Sequence, residues 1–263
     1  MNPIVKRTIT ALATASLAVA GILCLPTAVL VPALVALVAL VHLEFSLMVA
    51  KRHETMTVVG VAAGLALLVP EFCLADSASA RHGGDLVLGL CAAWAFARAL
   101  FGRYESPLTA VGTTLLGFLY LPVMLSQLVR IPFAFGAETF LYVIAIVKVS
   151  DMGGFAFGKA FGRHRLCPTI SPNKTWEGLA GSAVASCVVS CAFLPLTHFA
   201  LPKALGFGVA AALLGTFGDL VESRFKRECG VKDSATFLPA GMGGLLDMFD
   251  SLVFAPAVLV LFL

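Results

Sequence analysis

Residues 27–48 read TAVLVPALVALVALVHLEFSLM, twenty-two positions dominated by leucine, valine and alanine. At about 1.5 Å of rise per residue, a helix of that length spans roughly 33 Å, enough to cross a hydrocarbon layer of about 30 Å. Runs of the same character recur at roughly 8–25, 56–75, 84–102, 107–129, 138–158, 177–197, 203–221 and 241–263, which makes nine candidate spans. The composition agrees: 59% of the 263 residues are hydrophobic and 13% are charged, with a mean hydropathy of +0.97, whereas soluble domains carry about 25% charged residues. The expected fold is all-α, a polytopic transmembrane helical bundle.

Charge placement orients the bundle, because short cytoplasmic loops hold the excess of Lys and Arg. With the N-terminus inside, fourteen of the eighteen basic residues fall in inner segments (Lys6, Arg7, Lys51, Arg52, Arg98, Arg103, Lys159, Arg163, Arg165, Lys174, Arg224, Lys226, Arg227 and Lys232). Three (Arg81, Arg130 and Lys203) fall outside and Lys148 lies within a span, so the C-terminus is expected outside. The start, with Lys6 and Arg7 before an apolar run and Ala18-Val19-Ala20, also resembles a cleavable signal peptide. No block of Lys or Arg is long enough to argue for nucleic acid. Seven cysteines include no CxxC pair, and Cys187 and Cys191, one turn apart, read as small packing residues. The chain reads as one membrane domain, with scaffold helices in 1–137 and the polar chemistry in 138–263.

Three segments expected on the cytoplasmic side carry that chemistry. In KVSDMGGFAFGKAFGRHRL (148–166), Lys148 and Asp151 share a helix face and can neutralise each other, which is also a purely architectural arrangement. Gly154, Gly158 and Gly162 recur every fourth residue and read as a packing face for another helix. In SPNKTWEG (171–178), Ser171 and Pro172 are expected to cap a helix whose free amides, with Lys174, suit an anion. The same residues equally suit a plain cap with Trp176 as an interfacial anchor. In GDLVESRFKRECGVKD (218–233), Asp219, Glu222 and Ser223 share one face, followed by Lys226, Arg227 and Lys232. Acids and bases alternating within two turns suit metal ions and phosphates held together, although topology alone also demands a basic loop.

The last run opens GGLLDMFDS (243–251), where Asp247, Asp250 and Ser251 are expected on one helix face opposite Asp219. Carboxylates entering a membrane need a cation, a cavity or the interface. Oxygen-only ligands without nearby His or Cys favour a hard cation, Mg²⁺, on Asp219, Asp247 and Asp250.

These residues resemble the CDP-diacylglycerol synthase (phosphatidate cytidylyltransferase) family. Its signature is matched by Ser223, Lys226, Arg227, Lys232, Asp233, Pro239, Gly243, Gly244, Asp247 and Asp250, and the resemblance covers roughly 148–254. The chain departs from the family's Pro-Gly-His-Gly-Gly and Asp-Arg: it has Pro239-Ala240-Gly241-Met242-Gly243-Gly244 and Asp247-Met248, so the usual His and Arg are missing. The resemblance implies CTP and phosphatidate as substrates and CDP-diacylglycerol and pyrophosphate as products. It implies catalytic Asp219, Lys226, Asp247 and Asp250. Substrate binding then falls to Asp151, Ser171, Asn173, Lys174, Ser223, Arg227, Lys232, Asp233, Gly243 and Gly244. Membrane lipids and a second copy, as a homodimer, are the further partners considered, in a bacterial inner membrane. A CTP-dependent lipid kinase would use the same loops, whereas a secondary transporter would place its charges near the midplane and show repeated halves.

Overall fold

A computed structural model describes residues 19, 21–73, 79–197, 199–234 and 244–262. Most of the expected first span, Met242 and Gly243 lie outside the described residues.

The chain is mostly helical. Helix α1 (Thr27–Val49) is followed by α2 (Thr57–Cys73), α3 (Ser79–Phe101) and α4 (Pro107–Ala134), the last passing through a π-helical turn at Leu119–Val123. Then come α5 (Ala137–Phe161), strands β1 (Arg165–Cys167) and β2 (Ser171–Thr175), α6 (Trp176–Ala192), the short α7 (Leu194–Thr197) and α8 (Leu201–Glu228). The described chain ends in α9 (Leu245–Phe249), a 3-10 turn (Asp250–Leu252), α10 (Ala255–Leu259) and a last 3-10 turn (Val260–Phe262). Four helices, α1, α4, α5 and α8, are long and apolar enough to cross a membrane, and shorter apolar helices run over Thr57–Val69, Leu86–Phe101 and Trp176–Ala192. The protein is a membrane protein.

Helices dominate because hydrocarbon offers the backbone no hydrogen-bond partner, so each segment must satisfy its own N–H and C=O groups. The same rule governs side chains at depth. Ser190 donates to the Ala204 carbonyl at 2.7 Å, so Tyr142 donates its hydroxyl hydrogen to Ser190 Oγ, also at 2.7 Å. One apolar core joins both halves of the chain, from Leu34 and Phe45 to Val147, Phe207 and Leu259. Phe45 of α1, Tyr120 of α4 and Phe225 of α8 meet ring to ring at 5.3 to 5.8 Å.

The polar loops gather at one end. Glu54, just before α2, accepts from the amides of Glu105 (2.9 Å) and Ser106 (2.7 Å) at the start of α4. His53 Nε2 lies 3.8 Å from Glu228 Oε1 at the end of α8.

Three expectations need correction. The stretch 171–175 is not a helix start: it pairs antiparallel with β1, and α6 begins at Trp176 with Thr175 as its cap, the Thr175 hydroxyl accepting from Gly178 N at 3.1 Å. An extended backbone suits Pro172, and the hairpin satisfies strand amides that a cap at Ser171 would have left free. The last apolar run is not one helix but breaks into short pieces at Asp250. The all-α expectation gains this two-stranded hairpin.

Of the expected glycine face, Gly154 and Gly158 pack against α6, joined by Gly153, whereas Gly162 ends α5 and lies against Thr175. Gly153, Gly154 and Gly158 lie against Gly178, Gly181 and Ser182 of α6, so closely that a Cβ on Gly178 would sit 2.9 Å from the Gly154 carbonyl oxygen and 3.4 Å from Gly158 Cα. Gly178→Ala is therefore expected to lower the thermal midpoint in detergent, an overpacking cost of about 1–3 kcal/mol. Gly112→Ala, on an open face with no atom within 4 Å, is expected to be neutral or stabilising by up to about 1 kcal/mol. Equal midpoints for the two variants would contradict this packing.

Candidate active site

Asp219 and Glu222 stand one turn apart near the carboxyl end of α8, and Asp250 faces them from the first residue of the 3-10 turn. One carboxylate oxygen from each lies within 4.8 Å of the other two. The approach depends on Gly218, where a Cβ would overlap the Asp250 carbonyl oxygen. Asp250 Oδ1 is held by the Ser251 amide at 2.5 Å.

Three ammonium groups surround this trio. Lys174, reaching from β2, lies 2.5 Å from Asp219 Oδ2 and donates to the Thr216 carbonyl at 3.2 Å. Lys226 lies 2.6 Å from Glu222 Oε2 and 3.0 Å from Asp247 Oδ1, with its side chain 14% exposed. Lys148 donates to the Met248 carbonyl (2.7 Å) and Ser251 Oγ (3.1 Å) and lies 3.9 Å from Asp151. Asp151, Asp219, Glu222, Asp247 and Asp250 against Lys148, Lys174 and Lys226 leave two negative charges when all are ionised. Among the described residues no Lys or Arg is in ion-pair contact with Asp250.

Glu222 sharpens the case for a cation. It is completely buried, holds Lys226 at 2.6 Å through Oε2, and still brings a carboxylate oxygen within reach of Asp219 and Asp250. Three carboxylate oxygen donors converging within 4.8 Å, in a cluster whose acids outnumber its lysines, fit a hard divalent cation such as Mg²⁺.

The break at Asp250 separates residues expected to act together. Asp247 turns back to its own helix start, accepting from Gly244 N (2.8 Å), Ser234 Oγ (3.0 Å) and Lys226 Nζ (3.0 Å). A regular helix would have aligned Asp247 with Asp250 and Ser251. The change of helical pitch instead sends Asp247 to Lys226, Asp250 to Asp219, and Ser251 to Lys148. Lys226 is correspondingly locked between two carboxylates. Glu222, three residues after Asp219, completes the trio in place of Asp247. Its spacing placed it on the Asp219 face, but nothing in the sequence showed that Asp247 would be engaged elsewhere.

Beside the trio opens a cleft of about 270 Å³ whose lining includes Asp151, Ser171, Asn173, Lys174, Thr216 and Asp219. Five expected site residues thus share one cavity. Ser223 is half-buried, Gly244 is buried at the N-cap of α9, and Arg227, Lys232 and Asp233 are exposed where α8 gives way to the next loop.

Comparison with known proteins places the chain in a family. The model of the cytidylyltransferase family matches residues 5–263. The chain belongs to the cytidylyltransferase family. It is 47% identical over 121 residues to a phosphatidate cytidylyltransferase of Staphylococcus aureus (strain COL), covering 45% of this chain and 46% of that one. It is 40% identical over 141 residues to that of Staphylococcus saprophyticus, covering 53% and 51%, and 40% identical over 126 residues to that of Haemophilus influenzae, covering 46% and 43%. As matched, the chain spans about half the length of these curated relatives. Within a cytidylyltransferase-family bundle, Lys226 is the ammonium most committed to holding the site together.

Lys226→Met is expected to lower the detergent thermal midpoint sharply, because removing one partner of a buried pair costs about 3–5 kcal/mol. Adding Glu222→Gln should recover part of the loss by removing the stranded charge. Arg227→Met, at an exposed position, is expected to change the midpoint little. A Lys226→Met protein as stable as the wild type would contradict the pairing.

Proposed function

We propose that this chain transfers the cytidylyl group of CTP to phosphatidate, giving CDP-diacylglycerol and pyrophosphate, at the cytoplasmic face of a multi-pass bundle in a bacterial inner membrane. The observation that carries the proposal is the Asp219, Glu222 and Asp250 trio beside a lysine-lined cleft, in a chain of the cytidylyltransferase family. The gathering of basic loops at one end supports nine spans, with the N-terminus inside and the C-terminus outside.

The phosphate of phosphatidate is an anionic nucleophile already, so the reaction needs placement and charge neutralisation more than a strong base. One of its oxygens forms a bond to the α-phosphorus of CTP while the bond from that phosphorus to the bridging oxygen breaks, and the electron pair leaves with pyrophosphate. Asp219, Glu222 and Asp250 would hold Mg²⁺, which supplies Lewis-acid stabilisation of phosphate charge when bound. Lys174, at the junction of trio and cleft, neutralises and orients a phosphate, and Ser171 and Asn173 offer donors along the same wall. Asp151 lines the same cleft, and Lys148 beside it ties α5 to the turn around Asp250 through the Met248 carbonyl and Ser251. Exposed Arg227 and Lys232 raise the local concentration of the nucleotide anion. Lys226 and Asp247 act by holding Glu222 and the turn before Asp250. Lipid tails enter sideways from the inner leaflet.

Purified protein is to be incubated in mixed micelles of detergent and phosphatidate with CTP labelled at either the α- or the γ-phosphorus. Lipid carrying the α label is the expected product. Lipid carrying only the γ label would mean phosphoryl transfer by a lipid kinase and would contradict the proposal. Asp219→Asn and Asp250→Asn are each expected to cut transfer by on the order of 100-fold or more, whereas Asp247→Asn should show the 10- to 100-fold loss typical of an outer-shell partner.

A further inference from the structure

The acid trio is built from the second half of the chain, yet one fully buried carboxylate from the first half reaches the same place. Glu44 lies near the end of α1, 0% exposed, and its Oε2 accepts from the Leu246 amide at 3.0 Å, across 202 residues of sequence. Leu246 is the second residue of α9 and is itself completely buried. Its N–H is one of the donors that a helix start leaves without an intrahelical partner. Asp247 takes the Gly244 amide of the same turn at 2.8 Å. Two carboxylates, one from α1 and one from α9 itself, therefore hold amides at the start of α9.

The position of that helix start governs the acid trio. Four residues after Leu246 the chain switches to the 3-10 turn that points Asp250 at Asp219 and Glu222. The Asp250 carbonyl has no slack, being pressed against Gly218, so a shift of α9 along its axis carries Asp250 away from the trio. The helix that supplies Glu44 is anchored to α8 independently, through Phe45 against Phe225 at 5.8 Å between ring centres. Burying a carboxylate is costly unless its hydrogen bonds are made, and apolar packing would hold α1 against α9 without that cost.

We propose that Glu44 is a positioning residue for this site: by holding the Leu246 amide it sets the height of α9 and so the place of Asp250 among the metal-binding acids. The proposal rests on the reading of the trio as the cation site of cytidylyl transfer.

The full-length protein is to be compared with Glu44→Gln, which keeps an oxygen acceptor of the same reach, and Glu44→Leu, which removes it. Deuterium uptake across 244–252 is measured together with the Mg²⁺ concentration giving half-maximal transfer of α label to phosphatidate. Glu44→Gln is expected to match the wild type in both. Glu44→Leu is expected to exchange faster in 244–252, with α5 and α6 protected as in the wild type, and to need at least about 10-fold more Mg²⁺. Wild-type exchange and wild-type Mg²⁺ dependence in Glu44→Leu would overturn the proposal. So would a loss of protection spread evenly over all helices, or a Glu44→Gln protein as impaired as Glu44→Leu. A wild type that made no α-labelled lipid would instead defeat the functional reading, while the exchange data would still decide whether Glu44 holds α9.

Discussion

The ion pair of Lys226 with Glu222 and Asp247 is the constraint around which the rest of this structure is arranged. A carboxylate as completely buried as Glu222 is tolerated next to hydrocarbon only when a counter-charge has nowhere else to go. Lys226 meets that condition because it sits one turn further along the same helix and is closed off from the other side by Asp247. With Lys226 committed, Glu222 can face Asp219 and Asp250 without a full unit of unbalanced charge. The residual negative charge of the cluster is then concentrated where a cation can reach it.

A continuous final helix could not have done this. Asp247 and Asp250 on one face would have presented both carboxylates to the same partners and left Lys226 or the trio undersupplied. Breaking the helix at Asp250 lets neighbouring carboxylates meet different partners, Asp247 the Lys226 ammonium and its own helix start, Asp250 the two acids of α8. The break is in turn fixed by three contacts from separate elements: Lys148 of α5 on the Met248 carbonyl and Ser251, Gly218 of α8 under the Asp250 carbonyl, and Glu44 of α1 on the Leu246 amide. The first half of the chain is thus more than a hydrophobic support for the second.

Sequence alone located the long apolar helices well and the last run and the turns poorly, for a physical reason. Residues 27–48 and 138–158 became Thr27–Val49 and Ala137–Phe161 because a hydrocarbon solvent leaves long apolar segments little alternative to helix. The polar end obeys no such rule. Ser171-Pro172 satisfies the local preferences of a cap, but pairing with β1 outweighed them and moved the cap to Thr175. Asp219, Asn173, Lys174 and Asp151 could be gathered from spacing and charge, since each belongs to a short segment in which acidic, basic and hydrogen-bonding residues crowd together. Which of Glu222 and Asp247 joins the trio depends on where the last helix breaks, and that is decided by contacts with α1, α5 and α8. Glu44 carried no local signal at all: a single acid in an apolar run gains its meaning from distant partners, among them the Leu246 amide 202 residues away.

On the proposed mechanism Asp219, Glu222 and Asp250, rather than Asp247, hold the cation. Mn²⁺ in place of Mg²⁺ makes that directly visible by electron paramagnetic resonance of the purified protein without substrates. The wild type and Asp247→Asn are expected to bind one Mn²⁺ per chain, with Asp247→Asn at most modestly weaker, whereas Glu222→Gln and Asp250→Asn should each lose the bound-ion signal. Full Mn²⁺ binding by Glu222→Gln together with its loss in Asp247→Asn would contradict the assignment.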